Sequence, residues 1–255
     1  MIQFTTHRFL FFSRREIWFY DGENFEEGTY TAFSAAHRSL EMNTSSITEC
    51  KTVLYGTILT DLLKSKEELF SLIHPTFRYD IKSAEKRNLH YEADCNPTIN
   101  NCDQAISIFQ KFAKSKNLNP INRKWLLALN KSNSICISKI SMDNIVIVIH
   151  IYIVDKKESL LSHSFHNVDF KNDRIKGEAN KSLHWKDIQF FKSMNFEKYD
   201  WGGTNFIQNP GISKFKLNFG GSPVTKFRYI KTSPLIYRIT KLYKSIFSLR
   251  ALHKD

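Results

Sequence analysis

Residues 134–166 read SICISKISMDNIVIVIHIYIVDKKESLLSHSFH. Three β-rich runs, Ser134–Ser141, Asn144–Val154 and Leu160–His166, are separated by the turn-like segments MDN and DKKES. Branched and aromatic residues bounded by polar turns read as strands, and separations this short join antiparallel neighbours, so the stretch predicts a three-strand meander. Its longest apolar run, Ile145–Val154, contains His150. That run is well short of the ~20 apolar residues that cross a bilayer, so it reads as a buried strand.

Upstream, strands are expected over 15–21 and 51–60. Ser65 with Glu68 has the spacing of a capping box and opens a helical region. After Pro75, the segment TFRYDIKSAEKRN places Phe77, Ile81 and Ala84 on one helical face. Two further helices are expected at Asp103–Lys116, with Ala105, Ile108, Phe109 and Phe112 at helical spacing, and at Ile121–Asn130. Downstream come a helix over Glu178–Met194, a short strand over Glu197–Trp201, a glycine-rich stretch and a strand over Val224–Ile230. An amphipathic basic helix starts at Pro234. The order predicts an α/β fold of the α+β type, with a largely antiparallel sheet, flanking helices and one crossover helix.

Composition agrees with a packed globular chain: 255 residues, 42% hydrophobic, with 21 Phe and 10 Tyr. The N-terminus has only the apolar patch Phe9–Phe12, closed by Arg14 and Arg15, and no small-residue cleavage site, so no secretory signal is read. Cys50, Cys95, Cys102 and Cys136 show no C-x-x-C spacing and are expected to be reduced thiols in a cytoplasmic protein. No metal site is expected: His163 and His166 lie on one strand with two residues between them, without a carboxylate or thiol partner at suitable spacing. The net charge of +12 is unevenly placed. Met1–Cys50 carries four Arg and seven acids, whereas Asn205–Asp255 carries ten Lys or Arg and one acid. A basic C-terminal third suits an anionic partner such as nucleotide phosphates, a lipid-linked diphosphate, RNA or a membrane surface; a solvated basic face is the alternative. Nothing points to DNA.

Five of the nine glycines fall in YDWGGTNFIQNPGISKFKLNFGG, residues 199–221. Together with ANKSLHWKDIQFFKSMNFE before it, this stretch resembles the C-terminal block of Fem-type transferases of the GNAT acyltransferase superfamily. In that block an Ala-Asn…Leu-His-Trp helix leads to Tyr-Asp-x-Gly-Gly and then to Gly-Ile-x-x-Phe-Lys-x-x-Phe-Gly-Gly. The entry helices of the family carry Arg-x-x-Ile-Lys-x-Ala, matched here by Arg78, Ile81, Lys82 and Ala84. The resemblance spans roughly 60–230 and implies three parts. These are a reduced strand-rich N-terminal part (1–60), a GNAT-like transferase domain (61–232) and the basic amphipathic helix (233–255).

It also implies acyl or aminoacyl transfer to an amine or hydroxyl of a cell-envelope glycan or lipid-linked glycan precursor. No tightly bound cofactor is implied; the co-substrate is acyl-coenzyme A or aminoacyl-tRNA. Arg174, Gly177 and Ala179 fit the R-x-x-G-x-A pattern of GNAT pyrophosphate loops, in which helix N-terminal N–H groups face the phosphates. An ordinary helix start with an incidental Arg is the other reading. By resemblance, Phe215 and Lys216 sit beside the transferring carbonyl, where an ammonium stabilises the oxyanion. A lysine merely snorkelling out of an aromatic cluster fits the residues too. Asp200, ahead of Gly202 and Gly203, orients the nucleophile or else bonds the next backbone N–H groups to fix the turn. His184 beside Trp185 is a candidate base or a packed histidine, and Arg78 a substrate contact. The basic tail either lies on the inner membrane surface or packs on the domain. A non-catalytic binding module on a decayed transferase fold is the rival from another class.

Overall fold

The computed structural model describes residues 2–8, 12–19, 33–38 and 50–232. The tail helix expected from Pro234, and with it the part assigned to 233–255, lies outside them. The chain divides into two compact units, Met1–Leu54 with Lys226–Asp255, and Tyr55–Thr225. In the first, β1 (Ile2–Arg8) pairs antiparallel with β2 (Phe12–Trp18), which runs parallel to β3 (Phe33–Arg38). Ile2, Phe4 and Ile17 are its buried apolar side chains among the described residues.

The second unit holds the meander. Strand β4 (Cys50–Asp61) enters it and leads to helices α1 (Lys66–Leu72) and α2 (Pro75–Glu85). Ser65 and Glu68 close the expected capping box, worth about 1 kcal/mol, and Pro75 occupies the first turn of α2. Strand β5 (His90–Asp94), helix α3 (Ile99–Lys116) and helix α4 (Arg123–Lys131) follow. Then come β6 (Ile135–Met142), β7 (Ile145–Asp155), β8 (Glu158–His166) and the long helix α5 (Asp173–Ser193). The unit ends with β9 (Lys198–Asp200), helix α6 (Pro210–Leu217) and the start of β10 (Ser222–Thr232). Phe227–Thr232 of β10 return to the first unit and pair antiparallel with β3.

The strand order in the second unit is β4-β9-β8-β7-β6-β5. Its one parallel pairing is β8 with β9; the rest are antiparallel, as the meander predicts. Parallel neighbours need a crossover, and α5 is that crossover. Side chains alternate across the sheet: His150, Tyr152 and Leu161 face α5, while Phe109 of α3 stacks on His163 and Phe165 of the other face. The larger core cluster joins Ile58, Leu62, Tyr152, Trp185, Phe191, Trp201 and Phe219. Cys95 and Cys136, expected as reduced thiols, are joined as a disulfide. The β5–β6 ladder pairs Asp94 with Ile137 and so carries the two cysteines side by side. Among the described residues, no helix is long and apolar enough to cross a membrane.

Candidate active site

Strand β9 pairs with β8 only over Lys198–Asp200 against Glu158–Leu160. Beyond Asp200 the chain stays with β4: Trp201 N donates to Ile58 O at 3.0 Å and Thr204 N to Gly56 O at 2.8 Å. Strand β8 meanwhile continues with β7 to His166. The two parallel strands therefore part after Leu160 and Asp200. At the vertex Gly202 takes φ +68, and a Cβ there would lie 2.3 Å from Leu161 O, so only glycine fits.

Asp200 is fully buried at the vertex. Its Oδ1 accepts the Gly202 N–H at 2.8 Å and a short hydrogen bond from the Thr57 hydroxyl, whose oxygen also lies 2.9 Å from Gly202 O. These contacts match the turn-fixing reading of Asp200. Gly203, with no atom near a notional Cβ, is open.

Residues 210–217, read from the sequence as part of a glycine-rich loop, form helix α6, with Pro210 at its start. Its last turn aims Lys216 back at the vertex, where Nζ donates to Gly203 O at 2.8 Å and Gly202 O at 3.2 Å. Burial pulls the ammonium down to about 8, partly opposed by Asp200. Phe215 packs between Phe77, His184 and Phe219, with ring centroids 5.1, 5.6 and 5.6 Å away. It is thus a wall of the site continuous with the core.

His184 is buried, stacked on Trp201 and His150, and its Nδ1 lies 3.0 Å from Tyr199 OH. Burial first, then His150 and Lys216, hold it neutral, well below the ordinary histidine range. Behind it runs a polar network that the sequence reading did not single out. Tyr152 OH donates to Asp187 Oδ2 at 2.6 Å and meets Tyr199 OH at 2.7 Å. His150 Nδ1 lies 2.8 Å from Asp187 Oδ2, and Tyr91 OH donates to Asp187 Oδ1 at 3.0 Å. Burial and the Asp187 charge push Tyr152 and Tyr199 well above the ordinary phenol range. The available signals were a lone His in a β-branched run and an Asp in the middle of an apolar helix face.

The phosphate-loop candidates sit differently from expectation. Helix α5 begins at Asp173, not Glu178, because the Asn172 side chain caps it by accepting from Ile175 N at 3.0 Å. Gly177 therefore lies beyond the first turn, where backbone N–H groups are taken by the helix, and Ala179 is buried in the core. Arg174 pairs through Nε with Glu178 Oε1 at 3.0 Å, and Glu178 also binds Arg87. The Arg87 hydrogen bond, chiefly, holds the Glu178 carboxyl below its ordinary value despite burial. Half-buried Arg78 on α2 makes no side-chain hydrogen bond or ion pair among the described residues. The structure thus brings Lys216, Asp200, Gly202, Gly203, Phe215 and His184 to one place, with Arg174, Gly177 and Ala179 in the first half of α5.

No protein-family model and no curated protein matches the sequence. Solved structures do. FemX is similar with a TM-score of 0.61 at 11% identity, over 82% of this chain and 74% of that one. The C-terminal domain of a protein designated lysylphosphatidylglycerol synthetase from Agrobacterium fabrum is similar with a TM-score of 0.56 at 12% identity, over 82% and 70%. L-PGS from Bacillus licheniformis is similar with a TM-score of 0.53 at 11% identity, over 82% and 72%. The meander, crossover helix, parting parallel strands and these likenesses agree: the chain has a Fem-like fold.

Proposed function

We propose that the chain is an acyl- or aminoacyltransferase whose reacting carbonyl sits at the vertex between β8 and β9. One observation carries this reading. A largely desolvated ammonium, Lys216 Nζ, is held on Gly202 O and Gly203 O where the strands part, leaving its third proton for a ligand. In acyl transfer an amine or hydroxyl attacks the donor carbonyl, a C–N or C–O bond forms, and negative charge gathers on the carbonyl oxygen. Collapse then breaks the donor's C–S or C–O bond, and the nucleophile's proton leaves with solvent or the departing group. A fixed cation beside that oxygen in a dry site lowers the barrier by about 3–4 kcal/mol, because it need not reorganise as charge develops. The β8–β9 ladder ends at Leu160 and Asp200, so the cleft opens beside this lysine.

Asp200 and Thr57 serve by fixing the Gly202 turn on which Lys216 rests. Phe215 supplies the apolar wall that lowers the local dielectric. The donor is an acyl-coenzyme A or an aminoacyl-tRNA, and the acceptor a cell-envelope glycan or lipid precursor met from the cytoplasmic side. The names of the similar structures, FemX and lysylphosphatidylglycerol synthetase, support an envelope acceptor. The test is label transfer from radiolabelled acetyl-coenzyme A and from labelled aminoacyl-tRNA to an extract of lipid and glycan precursors. Transfer by the wild type that falls at least a hundredfold in Lys216→Ala is expected. A wild type that transfers from neither donor and is stabilised by neither in a thermal melt would leave a non-catalytic binding module.

A further inference from the structure

We infer that a lysine-lined groove along the outer stripe of α5, apart from the strand vertex, is a binding site for a phosphate-bearing ligand. The groove has a volume of about 690 Å³ and lies between the start of α1, the edge strand β5 and the last turns of α5. Lys66, Lys186 and Lys192 line it with Tyr91, Gln189 and Asn195, and no carboxylate does. All of these residues belong to the second unit. Lys186 and Gln189 stand outward because Asp187, Ile188 and Phe191 fill the core face of the same helix turns.

The charge in this groove is not neutralised. None of its three lysines forms an ion pair among the described residues, whereas Lys111, Lys139, Lys157, Lys176 and Lys181 each do. Carboxylates at its border are engaged elsewhere. Glu68 accepts from Ser65 N in the α1 cap, and Asp187 holds Tyr91, Tyr152 and His150 beneath it. Glu67, beside Lys66 in sequence, is exposed and outside the lining. Two of the ammonium groups are also held in place. Half-buried Lys186 sets Nζ 5.8 Å from the centroid of the Tyr91 ring, and Lys192 Nζ donates to Leu62 O at 2.8 Å, leaving protons for a ligand. The carbonyl end of α5 would repel an anion, but the Met194, Asn195 and Phe196 N–H groups already bond its last carbonyls. Three converging cations repel one another, and a compact ligand with two or more negative charges relieves that repulsion. Phosphoryl groups are anions of this kind, and lysine meets them as a point charge. A free phosphorylated molecule and the phosphodiester backbone of an RNA share this chemistry.

Binding measurements on the full chain test this without requiring turnover, so their outcome is separate from that of the transferase assignment. Two probes are used: inorganic tripolyphosphate by isothermal titration, and a labelled single-stranded RNA by fluorescence anisotropy. Binding of at least one is expected. Lys66→Gln/Lys186→Gln should weaken it about tenfold or more, with a melting temperature near that of the wild type. Lys114→Gln/Lys124→Gln removes the same charge from exposed positions of α3 and α4 and should bind within twofold of wild type. Lys216→Met should also bind within twofold, because the vertex is a different place. Similar affinity for the two probes assigns the groove to a small phosphorylated ligand. RNA binding at least tenfold tighter, and still weakened in the groove variant, assigns it to an RNA backbone. Four results would overturn the inference. They are binding of neither probe, a groove variant within twofold of wild type, equal weakening by Lys114→Gln/Lys124→Gln or Lys216→Met, and polyglutamate displacing the probe as well as tripolyphosphate does.

Discussion

Replacing Lys216 by Met separates a catalytic lysine from a structural one. Burial lowers the Lys216 ammonium from 10.5 to about 8, which corresponds to about 3 kcal/mol of cost for carrying the charge in the folded state at neutral pH. The sign follows from proton counting. Between about 8 and 10.5 the unfolded chain binds a proton that the folded chain has released, so wild-type stability rises with pH across that window. Below 8 the whole cost is present. Against it stand the two hydrogen bonds to Gly202 O and Gly203 O, about 1.5–3 kcal/mol each for a charged donor, with water replacing the one on exposed Gly203. Lys216→Met should therefore lie within about 1–2 kcal/mol of wild type at neutral pH. Relative to the variant, the wild type should gain up to about 3 kcal/mol as pH approaches 10.5. Urea unfolding followed by tryptophan fluorescence at several pH values reads both. Turnover should fall by a factor of about 10²–10³. The wild-type rate should show an alkaline limb near 8, where the ammonium is lost. A variant that loses more than about 3 kcal/mol at every pH would refute the reasoning, because the lysine would then be a staple for the turn.

Gly202→Ala should cost at least about 2 kcal/mol in urea unfolding and most of the turnover, since its φ is +68 and the new Cβ meets Leu161 O at 2.3 Å. Asp200→Asn should cost about 1–3 kcal/mol, because the Thr57 and Gly202 contacts lose their charged acceptor. Removing the Asp200 charge also removes what holds the Lys216 ammonium up, so the alkaline limb of the pH–rate profile should move to lower pH. Arg174→Ala should leave the melting temperature nearly unchanged, because its side chain is 72% exposed in the Glu178 pair, and should raise KM for the donor only if phosphates reach the start of α5.

The meander was legible because β6 and β7 are buried along most of their length as runs rich in isoleucine and valine, and polar turns set off β8; residues 135–142, 145–155 and 158–166 follow the expected strands closely. Strand β5 escaped because HYEAD is polar and half-exposed, held at the sheet edge by main-chain bonds that leave no apolar pattern. The start of α5 was misplaced because Gly177 looks like a boundary, while the true signal was the Asn172 cap. Helix α6 was hidden by its glycine and short length, although Asn209-Pro210 is a helix-start pair. The vertex residues Lys216, Asp200, Gly202 and Gly203 lie within 17 positions of one another, so local sequence already grouped them. Asp187, His150, Tyr152 and Tyr91 come from three separate elements, and only tertiary pairing assembles them. The Cys95–Cys136 pairing was unreadable for the same reason.

Asp187 also works as a key in a keyway. Sliding α5 by one turn would present Leu183 or Phe191 where Asp187 now receives Tyr91, Tyr152 and His150. Each orphaned buried group would cost about 1–3 kcal/mol, so the helix has one seat where an all-apolar face would allow several. That seat sets where His184 stands against Trp201 and Phe215, and hence the back wall of the cleft. Exchanging the whole set together for well-packed apolar side chains is expected to keep the melting temperature while letting α5 settle in more than one place. Indexing of the helix, rather than added stability, is what this carboxylate contributes.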